Sequence, residues 1–115
     1  MIELRRNIRY VSFARARIAG LHEGEALLRD LSVTGFRLEF TAAVAFDSKT
    51  PCSITILPED RAAVESFSLV ATPEWSRAEY DTFEVGFSIT ASPKGKTFQR
   101  YVDYLSWIST AKTNA

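Results

Sequence analysis

Two short stretches carry residue types that could do chemistry: RRNIR at residues 5 to 9 and DLSVTG at residues 30 to 35. The first places Arg5, Arg6 and Arg9 almost side by side. Across the first 20 residues, five arginines face a single acid, Glu3, a local net charge of +4 that the other 95 residues offset to an overall zero. Like charges this close repel unless something neutralises them, so the segregation points to an anionic partner or a basic arm. In DLSVTG, the Asp30 and Ser32 side chains can bond nearby backbone N–H groups and Gly35 can supply a positive φ. A turn between two strands therefore accounts for the hexapeptide on structural grounds alone.

Catalytic constellations are thin. His22 is the one histidine and lies in a glycine-flanked, acid-rich loop, where it reads as a solvated residue rather than a general base. Glu59 and Asp60 are adjacent carboxylates in a proline-led turn, which turn chemistry explains without acid–base work. Cys52 stands alone, so neither an internal disulfide nor a cysteine metal cluster can form, and a small hydrophobe in a strand is its expected role. No HExxH, CxxC or phosphate-cradling GxxxxGK occurs. A non-enzyme is expected, with no cofactor and no metal.

The elements that must position these residues are strands first and one helix last. Residues 10 to 19 and 25 to 31 read as two strands joined through GLHEG, with Gly20 and Gly24 at its ends. FRLEF at 36 to 40 alternates Phe36, Leu38 and Phe40 with Arg37 and Glu39, the period of a strand with one buried face. Arg15, Arg17 and Arg37 fall on the polar side of that alternation and read as a solvated face. CSITILP at 52 to 58, SFSLVATPEW at 66 to 75 and FEVGFSI at 83 to 89 are rich in β-branched and aromatic residues and are separated by turn-forming clusters around Pro-Glu-Asp and Glu-Tyr-Asp. From Ser92 and Pro93 the pattern changes, and Phe98, Val102, Leu105 and Ile108 line up on one helical face. Six short antiparallel strands suggest a closed or half-closed barrel, since closure removes exposed edges, with a helix over 92–110 covering an end or face of the sheet. The fold class is mainly β in a single domain over 1–115, with a flexible arginine-rich arm at 1–9 and the barrel at 10–90. Without an apolar run of membrane-spanning length or a signal core, a cytoplasmic protein with no membrane insertion is expected.

The two stretches, in this order and separation, resemble the signature of the PilZ domain family. Arg5 and Arg9 match its RxxxR motif, and Asp30, Ser32 and Gly35 match (D/N)xSxxG. RxxxR arises readily by chance in a chain with ten arginines, whereas DxSxxG does not, so the second motif carries most of the weight. Glu74-Trp75, the VGFSI strand and the closing amphipathic helix extend the similarity over nearly the whole chain. The resemblance implies a six-stranded antiparallel PilZ-type β-barrel with a C-terminal helix. It also implies a bacterial receptor for the second messenger cyclic di-GMP, which passes its signal to an unidentified downstream protein through a ligand-induced surface change.

The implied ligand gives the arginines a task. Cyclic di-GMP offers two phosphates and the O6/N7 acceptor edges of two guanines, and a guanidinium fork matches both bidentately where lysine does not. The Asp30 carboxylate suits the N1–H and N2–H2 donor edge of guanine, which adenine lacks. Ser32 can bond a base or phosphate, and Gly35 lets ligand or backbone approach closely. Antiparallel pairing of the first two strands would return the DxSxxG turn to the arginine arm, making a composite site. Arg6 either adds a phosphate contact or faces water. Trp75 either lies near the ligand, as an aromatic does in some relatives, or is a core or barrel-surface aromatic, the simpler role. Leu4, just before the motif, offers no extra fork for a second nucleotide, which implies one ligand per chain. The rival readings are a ligand-free structural or adaptor domain of the same fold and, more weakly, a nucleic-acid-binding module, since the basic excess is confined to the first 20 residues.

Overall fold

The computed structural model describes residues 8–19, 25–45, 49–91 and 95–114. The strands are β1 (Tyr10–Val11), β2 (Arg15–Ile18), β3 (Ala26–Leu31), β4 (Gly35–Phe40), β5 (Cys52–Leu57), β6 (Phe67–Glu79) and β7 (Thr82–Ala91), followed by helix α1 (Thr97–Asn114). They form one antiparallel sheet in the order β1-β3-β2-β5-β6-β7-β4, and a further β3–β4 pairing closes it. The result is the expected six-stranded barrel with one short extra strand.

Alternation builds the wall. Phe36, Leu38 and Phe40 of β4, Ile54 and Ile56 of β5, Phe67, Leu69 and Ala71 of β6, and Val85 and Phe87 of β7 all point into one core. Four inward alanines, Ala14, Ala16, Ala26 and Ala71, leave the room that the phenylalanines fill. Arg15 and Arg17 stay on the outside, as expected, where both bond the carboxylate of Glu25 at 2.9 Å.

The strand expected over 10–19 is instead two pieces on one edge of β3, with Tyr10 opposite Leu31 and Ala16 opposite Ala26. The break at 12–14 has a side-chain cause. Ser12 is turned inward, and its Oγ accepts the Ala14 N–H at 3.0 Å. That hydroxyl bonds the Tyr101 hydroxyl at 2.7 Å, and Tyr101 donates to Glu59 Oε1 at 2.6 Å. Since the single Tyr101 proton goes to the carboxylate, Ser12 is the donor to Tyr101. A bonded chain thus ties the β1–β2 break, the helix and a 3₁₀ turn at Asp60–Ala62. Burial and the Glu59 bond push the Tyr101 hydroxyl well above the usual tyrosine range.

Helix α1 packs onto the core with Phe98, Tyr101, Val102 and Leu105 buried, while Ile108 is only partly covered. The sequence stripe had omitted Tyr101, which is fully buried against Phe67 at a ring separation of 6.0 Å. Described helix begins at Thr97 and runs to Asn114, later at both ends than 92–110. Ser92 and Pro93 lie outside the described residues, as do Gly20, His22 and Gly24, and so does the arm except Ile8 and Arg9. Among the described residues no helix is long and apolar enough to cross a membrane.

Candidate functional site

The β3–β4 hairpin is shaped by Ser32. Its Oγ accepts the N–H groups of Thr34 at 3.2 Å and Gly35 at 3.1 Å, and its proton reaches the Gly35 carbonyl at 3.2 Å. The Ser32 N–H also bonds that carbonyl, at 2.8 Å. At 1% exposure, with its lone pairs and proton all engaged, Ser32 is the turn's internal fastener. It does not reach the surface where a ligand would touch it. Gly35 is required for a different reason than a positive φ, which among the described glycines only Gly95 has. A Cβ on Gly35 would stand 2.5 Å from the Phe87 carbonyl oxygen, so glycine permits the close approach of β4 to β7.

With the turn set, register decides what meets on the outer wall. Asp30 lies opposite Val11 and Arg37, Arg37 opposite Gly86, and Gly86 opposite Trp75. This single cross-strand row runs over five strands. Around it lies a cleft of about 530 Å³ whose walls include Arg9, Asp30, Gly35, Arg37, Glu74, Trp75, Gly86 and Ser88.

Two irregularities aim residues into the cleft. Between Leu28 and Asp30 the register of β3 against β4 shifts, and between Pro73 and Trp75 the register of β6 against β7 shifts. A bulge places consecutive residues on one face. Glu74 and Trp75 are accordingly both exposed, and Arg29 and Asp30 both look outward. Gly86 completes the arrangement. A Cβ there would overlap the Trp75 indole, so the ring lies directly on the glycine backbone. The Arg77 guanidinium sits 5.8 Å from the ring centroid. Trp75 is thus a flat, laterally held surface aromatic, 47% exposed, in the cleft wall.

The charges form a ladder. Asp30 receives Arg9 on Oδ1 at 2.9 Å and Arg37 on Oδ2 at 3.1 Å. Arg37 also approaches Glu84 at 3.5 Å, and Arg77 bonds Glu84 at 2.7 Å. That bond holds the Arg77 pKa above its ordinary value. At the far side of the cleft Glu74 accepts from Ser88 Oγ at 2.6 Å and from Lys49 at 3.4 Å, and these bonds, Ser88 first, hold its carboxyl below the usual range. The Arg37 Nε is buried without a hydrogen-bond partner among the described residues.

Of the residues singled out in the sequence, Arg9, Asp30, Gly35 and Trp75 come together at this cleft, while Leu4, Arg5 and Arg6 lie outside the described residues. The return of the DxSxxG turn to the arginine arm is seen directly in the Arg9–Asp30 pair. Arg37 is not the solvated residue expected: it pairs with Asp30 inside the cleft, because a hairpin closed by Ser32 and Gly35 must put position 37 opposite position 30. Counting back from the turn would have found it. Glu74, Gly86 and Ser88 were also missed. A lone glycine inside a strand is itself a signal of close approach, and VGFSI carried one. Cys52 is half-buried on β5, its thiol pushed up by burial and directed at the Ala71 carbonyl, away from the cleft.

Comparison with family models, with curated proteins and with solved structures returns no match for this chain.

Proposed function

We propose that the cleft binds cyclic di-GMP and that the chain is a second-messenger receptor whose occupied surface is read by a partner protein. One observation carries this reading. Arg9 and Asp30, 21 residues apart and taken from two separate motifs, meet at 2.9 Å on the rim of a cleft that also holds an open indole. Guanidinium, carboxylate and aromatic face are the groups that phosphate, the guanine donor edge and the base plane require.

The resting ion pair is compatible with capture. The Arg9 side chain is 51% exposed, so its bond to Asp30 contributes at most about 1 kcal/mol. A charge-assisted contact to phosphate contributes about 1.5 to 3 kcal/mol, enough to draw Arg9 away and free one Asp30 oxygen for a base. Arg37 would continue to hold the other oxygen, keeping the carboxylate oriented.

A second reading draws on the same pair. Asp30 is already satisfied by two guanidinium groups, as a ligand-free adaptor domain would need. Calorimetric titration of the full chain with cyclic di-GMP, beside GTP and single-stranded RNA, separates the readings. Saturable binding of cyclic di-GMP alone supports the receptor, no heat with any ligand supports the adaptor, and binding of RNA alone would return the nucleic-acid module.

A further inference from the structure

Glu74 is out of place in a site for an anion. Its carboxylate stands in the wall of the cleft opposite Arg9 and Asp30, where it is held charged by Ser88 and Lys49. A fixed negative charge facing a ligand with two phosphates weakens binding unless it accepts something the ligand donates. The protein also goes to structural lengths to put it there. Without the register shift between Pro73 and Trp75, Glu74 and Trp75 would face opposite sides of β6. With it, the carboxylate stands beside the indole.

We propose that Glu74 is a specificity-determining residue that accepts the N1–H and N2–H2 edge of the second guanine, as Asp30 accepts that of the first, with Ser88 as its positioning residue. This rests on the reading of the cleft as a cyclic di-GMP site. The geometry behind it is the cross-strand row. Asp30 on β3 and Trp75 on β6 are separated by β4 and β7, and three strand spacings amount to about 14 Å. One acid therefore stands at each side of the cleft, with Arg37 between them and Trp75 beside Glu74. A two-guanine ring presents two donor edges on opposite sides of a central phosphate-bearing macrocycle, which matches acid, cation, acid in that order. The Ser88 hydroxyl, 2.6 Å from Glu74 Oε2, fixes the carboxylate through one oxygen, and among the described residues Oε1 is bonded only by the long contact to the exposed Lys49. Lys49 is 76% exposed in its side chain and is readily exchanged for a ligand donor.

The test compares cyclic di-GMP, the mixed cyclic GMP–AMP dinucleotide and cyclic di-AMP on wild type and Glu74→Gln, by calorimetry on the full chain. The variant keeps the shape but replaces one acceptor oxygen by a donor that opposes guanine. The expected result is a loss of about tenfold or more for cyclic di-GMP, while the mixed dinucleotide, which can set its only guanine on Asp30, stays within about twofold of wild type. Ser88→Ala should reproduce part of that change in ratio and Ser88→Thr should restore it. Equal weakening of both ligands would make Glu74 a structural partner of Lys49 and overturn the proposal. So would unchanged binding, or tighter binding of every ligand, which would mark Glu74 as a mere repulsive charge. Wild type that binds none of the three nucleotides brings down the cleft reading itself, and this proposal with it. Wild type that binds cyclic di-GMP and a Glu74→Gln variant that retains its ratio refute the proposal alone.

Discussion

Gly86→Ala separates the presence of the Trp75 ring from its position. The added Cβ would fall within the indole, so the ring must swing off the strand, whereas Trp75→Ala removes it outright. Stacking on an aromatic is worth about 1 to 3 kcal/mol per base. Trp75 is 47% exposed, one side resting on the sheet, so the lower part of that range applies, about 1 to 2 kcal/mol, or about a 5- to 30-fold loss of affinity for cyclic di-GMP. Both variants should show it. Because they remove the same contact, the double variant should be no weaker than Trp75→Ala, a non-additivity that independent sites would not produce. Calorimetry measures the affinities, and indole fluorescence locates the effect. The other tryptophan, Trp107, is exposed on the helix, so a Trp107→Phe background leaves Trp75 as the sole reporter. Binding within about twofold of wild type in Trp75→Ala, or saturation without any change in Trp75 emission, would refute the idea that the base lies on this ring.

Arg9→Ala, and equally Arg5→Ala, should weaken cyclic di-GMP by at least about tenfold while lowering the unfolding midpoint by no more than about 4 °C; calorimetry showing wild-type affinity in the Arg9 variant would remove the arm from the site. Asp30→Ala should reduce the preference for cyclic di-GMP over cyclic di-AMP more than it reduces affinity for the latter, and competition binding that finds the same ratio in both proteins would reject Asp30 as a base reader. Tyr101→Phe deletes the hydroxyl between Ser12 and Glu59, which should cost about 1 to 3 kcal/mol and lower the melting midpoint by about 4 to 12 °C in a chain of this size; an unchanged midpoint would show the chain to be energetically idle. The sign with pH follows from the upward shift of that hydroxyl: its contribution is complete below the unfolded-state value of about 10 and is lost as pH rises through the folded-state value. The gap between wild type and Tyr101→Phe should therefore be constant from pH 7 to 9, measured by thermal unfolding, and narrow only in more alkaline solution.

The barrel was legible wherever one face of a strand is apolar and the other is not. Phe36, Leu38 and Phe40 alternate with Arg37 and Glu39, and all three aromatic and aliphatic side chains are inside. The helical stripe was legible for the same reason, except at Tyr101, which the stripe of Phe98, Val102, Leu105 and Ile108 leaves out. Its partners are Ser12 and Glu59, 89 and 42 residues away, so no local pattern announces them. The same long-range bond explains why the strand over 10–19 is broken. A buried Ser12 must find partners, and at the β1–β2 break the Ser12 N–H and the Ala14 carbonyl still bond β3 while the Ala14 N–H turns to the Ser12 hydroxyl.

The site was legible in proportion to how far its residues obey the strand period. Arg9 and Asp30 follow from antiparallel pairing alone, and Arg37 would have followed from the hairpin register. Ser32 shows the limit of motif chemistry, since the hydroxyl that could bond a phosphate is the same hydroxyl that closes the turn, and burial decides between the two. Glu74 and Trp75 break the period altogether. Two adjacent strand residues cannot share a face unless the ladder slips between them, and such a slip is set by the neighbouring strand. Here that neighbour is β7, where Gly86 offers bare backbone on which an indole can lie. A strand that must show a carboxylate and an aromatic side by side therefore needs both the bulge in itself and the glycine in its partner. Replacing the glycine should disturb recognition while leaving the barrel's inward row of Phe67, Leu69, Val85 and Phe87 intact.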